Sequence, residues 1–281
     1  FGAGTGAINF NQSDAVTITS VITGAGTLNQ LGAGTTTLSA SNNYSGGTII
    51  ADGRLATASS NALGTGFVTV TNTGKLAPGV GDALVIAGDL TFTTGSAFVW
   101  QLLANTNGGA GNFTPAVNLS TNLSVAVGSS FELFFGSSVD ATNAFWAPGA
   151  TNSWTIFTGT SPSLGAGTNF SLAWAAGGTT NGFDLANFSL GTNATGLVLN
   201  YYVAPPPVRY LWNTNTGDWT NAANWIDNTV PGATDDAYID NGGLALVNGD
   251  AAAANDLYVG FTNSSNSLVI SNGGTVQSGT L

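Results

Sequence analysis

The stretch that decides the fold is Asn42–Leu55, NNYSGGTIIADGRL. It places a Gly-rich turn directly before Thr48–Ile50 and follows that segment with an Asp-Gly turn. Turn residues on both sides of a short run of Thr and Ile predict a brief strand between two tight corners. This pattern fits either a catalytic loop or one corner of a repeating coil, and the rest of the sequence must distinguish them.

The composition favours a β fold with many corners. The chain has 281 residues, of which 40 are Gly, 43% are hydrophobic and only 6% are charged. The hydrophobic share argues against disorder. Glu132 and Lys75 are the only Glu and Lys, so long helices are not expected. Glycine tolerates the positive φ that tight turns require.

Glycine spacing indicates a repeat of about 20 residues, within the range of known solenoid repeats. Gly6 and Gly26 are separated by one such interval, and Gly53 and Gly74 by nearly the same interval. A period of this length, with short strands and Gly/Asn corners, suits the coil of a β-solenoid. The alternative is an antiparallel sandwich, whose hairpins also recur at regular intervals.

The sequence divides into four segments. We predict a β-solenoid over residues 1–95, an irregular β region over 96–203 and a Pro-rich linker over 204–209. Residues 210–281 indicate the start of a second solenoid unit. The middle segment has longer, more aromatic strands, so it either continues the solenoid in a wider form that caps itself or forms a β-sandwich cap.

Residues 32–79 closely resemble the autotransporter-associated β-strand repeat, although Ala40 stands where that pattern usually has Gly. The matching positions are Leu38, Ser39, Asn43, Tyr44, Ser45, Gly46, Gly47, Thr48, Gly53, Leu55, Ala62, Leu63, Gly64, Gly66, Val68 and Val70. The resemblance implies an all-β fold, a right-handed parallel β-helix of large secreted or surface proteins of bacteria. It implies stalk or passenger structure and no reaction. On this interpretation Asn43 forms hydrogen bonds at a corner of the coil, and Tyr44 packs at the same corner.

A Trp-rich block follows the prolines and resembles the signature that opens β-helix modules in similar surface proteins. Its matching residues are Trp212, Asp218, Trp219, Ala223, Asn224, Trp225, Pro231, Gly232, Asp235, Asp236, Ile239 and Asn241. Trp212, Trp219 and Trp225 are either a glycan-binding platform or a hydrophobic plug over the open end of the second solenoid.

Catalytic chemistry has few candidates in this chain. With no His and no Cys, neither a Ser-His or Cys-His nucleophile nor a His/Cys metal site can form. Asp235 and Asp236 are the one adjacent acidic pair, but neighbours on a strand point to opposite faces, so a turn cap is the better interpretation. We therefore predict no enzyme and no cofactor.

Calcium binding is the remaining metal hypothesis. Carboxylate oxygens are the hard ligands that Ca²⁺ prefers. The candidates are Asp227, Asp235, Asp236 and Asp240, and the alternative is that they are isolated turn aspartates.

Charge excludes one class of partner. The net charge is −11, and Arg54, Lys75 and Arg209 are the only basic residues, too few to neutralise a nucleic acid backbone. The sequence has no apolar run long enough to span a bilayer. The abrupt first and last residues suggest a processed protein or a segment of a longer one.

The leading functional hypothesis is a structural component of an extracellular assembly on the bacterial cell surface. It would be a filament, stalk or sheath built by end-to-end stacking of solenoids, with Asn residues hydrogen-bonded between coils. Its partner would be itself, head to tail, or adjacent modules of a longer chain. The alternatives are an adhesin or module that binds surface glycans, and a polysaccharide lyase or hydrolase.

Overall fold

Short β-strands form nearly all of the regular structure in the computed structural model, which describes Phe1, residues 5–159 and residues 162–279. The chain divides into two units, Phe1–Ala204 and Pro205–Leu281. Among the described residues no helix is long and apolar enough to cross a membrane.

The described residues of the first unit contain eighteen strands. They are β1 Ala7–Phe10, β2 Ala15–Ile18, β3 Thr27–Gln30, β4 Thr35–Leu38, β5 Thr48–Ile50, β6 Arg54–Thr57, β7 Val68–Val70, β8 Lys75–Pro78, β9 Val85–Ile86, β10 Leu90–Phe92, β11 Ala97–Leu102, β12 Val117–Leu119, β13 Leu123–Val125, β14 Ser130–Phe135, β15 Thr151–Gly159, β16 Ser171–Trp174, β17 Phe188–Thr192 and β18 Gly196–Tyr202. The same described residues form short 3₁₀ helices, η1 Ala144–Trp146, η2 Pro162–Asn169 and η3 Leu185–Asn187.

Two parallel sheets run along this unit. One has the order β1-β3-β5-β7-β10-β13, and the other joins β2-β4-β6-β8-β11-β14-β16. Six coils contribute one strand to each sheet and the last coil contributes only β16, and every one of these pairings is parallel. This is a parallel β-solenoid, so the predicted fold is confirmed and the sandwich alternative for residues 1–95 is wrong. The right-handedness of the β-helix, which the resemblance implies, stays a prediction.

The coil changes length along the unit. Leu28 on β3 pairs with Thr48 on β5, whereas Leu90 on β10 pairs with Leu123 on β13. The later coil therefore contains more than one and a half times as many residues as the earlier one. We call β1–β8 the narrow coils and β9–β16 the wide coils. The wide coils add a third sheet that starts with β9, β12 and β15, and they carry a loop at residues 103–116.

The middle region therefore continues the solenoid in a wider form. Strand β14 still pairs in parallel with β16, and the third sheet then ends with antiparallel strands, β18 against β15 and β17 against β18. The side chain of Asn169, at the end of η2, donates a hydrogen bond to the Val125 carbonyl on the outer strand β13. A strand edge that would otherwise invite pairing is thus covered by η2.

The core follows the alternation of each strand. In the narrow coils, inward-facing aliphatic residues such as Leu28, Leu38 and Leu55 are completely buried. In the wide coils aromatic rings fill a larger cross-section, and Trp100 contacts Trp154 with ring centroids 5.4 Å apart. A buried aromatic side chain removes much more apolar area from water than an aliphatic one does, which stabilises the wider coil.

The second unit also forms parallel sheets. Its strands are β19 Arg209–Leu211, β20 Thr216–Asp218, β21 Asp236–Ile239, β22 Leu244–Asn248, β23 Ala251–Ala253, β24 Leu257–Val259, β25 Ser267–Ser271 and β26 Thr275–Gln277, with 3₁₀ helices η4 Ala222–Asn224 and η5 Ile226–Asn228. They pair as β19-β21-β24, β20-β22-β25 and β23-β26. Every ladder is parallel, which again gives a three-sided coil.

Candidate functional site

The corner in NNYSGGT is held by Asn42. Its side-chain oxygen accepts a hydrogen bond from the backbone N–H of Ile22 at 2.8 Å, and its side-chain nitrogen donates to the carbonyl of Ala62 at 2.6 Å. Asn42 is 4% exposed and so links the coil before it to the coil after it. Asn43, predicted to form hydrogen bonds at the corner, does so through its backbone N–H, which donates to the Ile22 carbonyl at 3.1 Å, while its side chain is exposed and the side-chain bonds come from Asn42.

Tyr44 packs inside the same corner, as predicted. It is fully buried, and its hydroxyl lies 2.7 Å from the Thr48 hydroxyl. Burial raises the pKa of Tyr44 to about 12, because the phenolate would be poorly solvated there. Gly64 closes over it at φ +65, where an added Cβ would lie 2.3 Å from the Tyr44 carbonyl oxygen. The motif residues therefore build a packed corner and not a catalytic loop.

A charged pair joins the narrow coils to the wide ones. The ammonium of Lys75 on β8 donates to both carboxylate oxygens of Glu132 on β14, at 2.6 and 2.8 Å, across the intervening strand β11. Arg54 lies in register with Lys75. Burial lowers the pKa of the Arg54 guanidinium, and the nearby Glu132 carboxylate offsets only part of that shift. The ammonium of Lys75 is therefore engaged by Glu132 and links strands β8 and β14.

Polar side chains on strands and at corners connect successive coils elsewhere. The side chain of Asn29 donates to that of Asn9 at 2.7 Å, and the Thr73 hydroxyl donates to Asp52 at 2.7 Å. The bond from Thr73, together with one from the backbone N–H of Gly53, lowers the pKa of the Asp52 carboxyl. The Asn9–Asn29 pair joins strands β1 and β3, and the Asp52–Thr73 pair joins two corners. The predicted Asn–Asn bond at a corner occurs in the second unit, where the side chain of Asn272, in the turn after β25, donates to that of Asn248 at the end of β22.

The four calcium candidates lie in η5 (Asp227), in the turn before β21 (Asp235), at the start of β21 (Asp236) and just after it (Asp240). Asp235 accepts a hydrogen bond from the Gly232 N–H at 2.9 Å, which is the predicted turn cap, and Asp236 accepts one from the Asn255 side chain at 3.0 Å. Asp227 belongs to η5 and has a positive φ of 68°. No group of three or more His, Cys, Asp or Glu that could hold a metal ion occurs in the described part of the chain. The structure therefore does not bring these aspartates together as one calcium site.

Asp240 is the most heavily bonded of the four. Its carboxylate accepts hydrogen bonds from the backbone N–H groups of Thr262 at 2.9 Å and Asn263 at 2.8 Å, and from the Thr262 hydroxyl. The bonds from Thr262 and Asn263 lower the pKa of Asp240, because they favour the ionised carboxylate. Asp240 therefore links two successive coils of the second unit by hydrogen bonds and stays ionised.

The three Trp residues of the second unit form its core. Trp212, Trp219 and Trp225 are 2%, 0% and 1% exposed, with Trp225 edge-on to the other two at centroid distances of 5.0 and 4.8 Å. A sugar can stack only on an exposed ring face, so the glycan-platform hypothesis for these rings is wrong. The burial agrees with the plug interpretation, and the Trp225 indole N–H donates to the Trp219 carbonyl at 2.8 Å.

Parallel coils, buried corner residues and inter-coil hydrogen bonds define the chain as a β-solenoid protein. Residues 28–56 match the model of the passenger-associated-transport-repeat family. The chain thus carries an autotransporter-type repeat, as its sequence pattern predicted.

A curated relative supports the same assignment. The Adhesin BmaC autotransporter of Brucella suis biovar 1 (strain 1330) is 38% identical over 95 residues, which is 34% of this chain and 3% of the relative. The chain therefore spans a very small part of that protein. No solved structure matches the chain.

Proposed function

We propose that the chain is a non-catalytic scaffold segment in the exported part of an autotransporter-type protein, on the bacterial cell surface or released from it. The observation that carries the proposal is the parallel ladder β2-β4-β6-β8-β11-β14-β16, which links seven coils without interruption. Backbone hydrogen bonds between coils, repeated at every step, resist extension and local opening. The passenger-type repeat at residues 28–56 and the adhesin relative support the surface location.

Growth of the scaffold would use the outer strands of the sheets. In the described chain β25 is the last strand of its sheet, and Ile270 on it is 50% exposed. A strand edge with an apolar, uncharged sequence (SLVIS) favours pairing with another strand. We propose that the next coil there comes from the continuing polypeptide or from a second copy of this chain.

Electron microscopy and sedimentation of the purified chain test the stacking of copies. We expect elongated particles whose length grows with concentration. We expect Ile270→Lys to abolish this growth, because a charged side chain on an edge strand opposes pairing with another strand. Val127→Lys, at a loop position 79% exposed, is the control and should leave growth unchanged. A wild-type chain that stays monomeric at high concentration, with β25 protected from hydrogen exchange, would refute stacking between copies.

Adhesion is the second candidate. It is favoured by the name of the relative, an adhesin autotransporter, and by the 38% identity that the two chains share over 95 residues. Beads coated with the chain and tested on cultured cells would check it. Binding no greater than that of beads coated with an unrelated solenoid protein would count against adhesion and would leave the scaffold proposal intact.

A further inference from the structure

The hairpin tip between β17 and β18 carries an acceptor sequence for N-linked glycosylation. Asn193-Ala194-Thr195 forms this tip and has the pattern Asn-X-Ser/Thr, in which a sugar can be attached to the Asn side chain. All three residues are exposed. The backbone N–H of Asn193 donates to the Gly196 carbonyl at 3.0 Å and closes the turn. The acceptor sequence therefore lies on a defined turn that faces solvent.

The pattern alone does not identify a site, because a chain rich in Asn, Ser and Thr contains it by chance. It occurs here at Asn11, Asn43, Asn112, Asn118, Asn122, Asn169, Asn187, Asn193 and Asn263. The exposure and the hydrogen bonds of each Asn side chain must select among these positions.

The side-chain oxygen of Asn193 accepts three hydrogen bonds. They come from the Thr195 backbone N–H at 2.8 Å, the Thr195 hydroxyl at 2.7 Å and the Gly196 backbone N–H at 3.0 Å. Because a backbone N–H can only donate, the accepting atom is the oxygen of the carboxamide. The side-chain nitrogen has no hydrogen-bond partner among the described residues. The atom that would take the sugar is thus free of competing bonds.

These three donors also favour the chemistry of sugar transfer. An amide nitrogen is a weak nucleophile, because its lone pair is delocalised into the carbonyl group. When the nitrogen loses a proton, the resulting negative charge lies largely on the oxygen. Donors already directed at that oxygen stabilise the charge as it develops, as an oxyanion hole does. The Thr195 hydroxyl is one of these donors, which gives it a direct chemical role in the acceptor sequence.

The other acceptor sequences lack this combination. Where the side-chain nitrogen already donates a hydrogen bond, the nucleophile is occupied; this holds for Asn112, Asn122, Asn169 and Asn263. Asn187 is half-buried, and the oxygen of Asn118 accepts from Thr158. Asn11 and Asn43 are exposed, but in the described structure neither side chain is hydrogen-bonded to the Ser two residues later.

The hairpin tip has room for a sugar beside it. It borders a cavity of about 330 Å³, and the described residues of the lining, Leu164 and Thr192 among them, are uncharged. This volume lies near the lower end of the range for small-molecule pockets, roughly 300–1,000 Å³. The first sugar residue attached to Asn193 can therefore lie against the protein without displacing a charged group.

We propose that Asn193 is a site of N-linked glycosylation, modified by a glycosyltransferase of the host cell that uses a glycosyl phosphate donor. A bond forms between the Asn193 side-chain nitrogen and the anomeric carbon of the sugar. The bond from that carbon to the donor's phosphate oxygen breaks, the phosphate-bearing carrier leaves, and the nitrogen proton passes to a base of the transferase. The inference rests on the proposed export of the chain, because glycosylated sequences of this kind mark surface loops of secreted proteins.

Peptide mapping by mass spectrometry tests the proposal on the chain isolated from the surface of the bacterium that makes it. We expect a sugar on Asn193 in most molecules and none on Asn169, whose nitrogen donates to the Val125 carbonyl. Asn193→Asp keeps an oxygen that can accept the three bonds and removes the nucleophile, so the sugar should be lost while near-UV circular dichroism is unchanged.

The matched pair of variants is at Thr195. Thr195→Val keeps the shape of the side chain and removes the hydroxyl, so it should abolish the modification, whereas Thr195→Ser keeps the hydroxyl and should retain it. A sugar found on wild-type chain held in the cytoplasm indicates a nucleotide-linked donor, and a sugar found only after export indicates a lipid-linked one; both support the proposal.

An exported chain without a sugar on Asn193 overturns the inference and leaves the scaffold proposal intact. Equal modification of Asn169, or retention of the sugar in Thr195→Val, overturns it as well. A chain that never reaches the cell surface would instead contradict the proposed function.

Discussion

The narrow and wide coils of the first unit share one ladder but fill their interiors differently. In the narrow coils, aliphatic side chains and the buried pair Asn42 and Tyr44 fill a small cross-section. In the wide coils, the added loop at residues 103–116 is tied to an aromatic core through its carbonyl groups. Trp100 donates to the Thr114 carbonyl and Trp154 to the Thr106 carbonyl, each at 3.0 Å.

This difference shows that a solenoid coil can lengthen by more than half without losing register. The backbone ladder fixes the spacing between coils, so extra residues are accommodated at the corners and extra volume is filled by larger side chains. The cost of the inserted loop is offset where its carbonyls find indole donors, because buried backbone groups must be paired. Aromatic deletions should therefore damage the wide coils most, and corner polar deletions should damage the narrow coils most.

The largest effect is expected from Trp100→Ala in the wide coils. It empties a fully buried site and removes the bond to Thr114, so we expect a loss of about 3–5 kcal/mol in the free energy of unfolding. Urea denaturation followed by Trp fluorescence measures it. Trp100→Phe should recover about half of that loss, and a cost below about 1 kcal/mol for the alanine variant would show that the wide core is not the main support of these coils.

The next effect belongs to the narrow coils. Asn42→Ala removes both bonds of the corner and leaves the Ile22 N–H and Ala62 carbonyl unpaired, which should cost about 2–3 kcal/mol. Asn43→Ala, the adjacent exposed position, should change stability by less than about 0.5 kcal/mol. Parallel denaturation curves compare the two, and equal effects would remove the assigned role of Asn42.

The junction between narrow and wide coils depends on Lys75 and Glu132. The side chain of Glu132 is only 12% exposed, while that of Lys75 is 34% exposed, so solvent screens the pair in part. Lys75→Met should cost about 1–2 kcal/mol, less than a fully buried pair would, because Glu132 loses its counter-charge. Adding Glu132→Leu should restore part of that stability, because it removes the unpaired carboxylate but also the attraction of Glu132 for Arg54. A double variant as unstable as the single one would contradict this explanation.

The raised pKa of Tyr44 predicts that the narrow coils lose stability at alkaline pH. Its pKa is raised by burial to about 12, whereas an unfolded tyrosine has a pKa of about 10. Its contribution to stability is therefore complete below about pH 10 and is lost as the pH rises towards about 12. Melting temperatures across this range should fall more steeply for the wild type than for Tyr44→Phe, and identical slopes would argue against a buried Tyr44.

The smallest effect is expected from Asp52 at low pH. The bonds from Thr73 and Gly53 lower its folded pKa, so its contribution is present above the unfolded value of about 3.9 and is lost as the pH falls through the folded pKa. Asp52→Asn should make the melting temperature less dependent on pH below about pH 4. An unchanged acid profile would show that this exposed contact contributes nothing measurable.

The sequence predicted the narrow coils because their period stays nearly constant and the corner motif is intact. It did not decide the structure of residues 96–203, since the coil lengthens there and the strands become aromatic on both faces. The pairing of Lys75 with Glu132 joins residues 57 positions apart, and only the register of β8, β11 and β14 reveals it.

The candidate site was predicted less well than the fold. The Trp residues were found from their spacing, but whether a ring is buried depends on tertiary packing that the sequence pattern does not contain. Asn42 could have been chosen over Asn43 from the alternation of buried and exposed residues along the corner, where Asn42 and Tyr44 face inward and Asn43 faces outward.

Disulfide trapping across the wide coils tests most directly whether one parallel solenoid continues from the narrow coils into the wide ones. Thr91 on β10 pairs with Ser124 on β13. Adjacent strands lie about 4.8 Å apart, which is within disulfide range, and the chain has no cysteine of its own. After mild oxidation, mass spectrometry should find a disulfide in the variant with Thr91→Cys and Ser124→Cys. It should find none in the variant with Thr91→Cys and Val125→Cys, whose side chains point to opposite faces. No bond in the first variant, or equal bonding in both, would contradict the continuous parallel ladder.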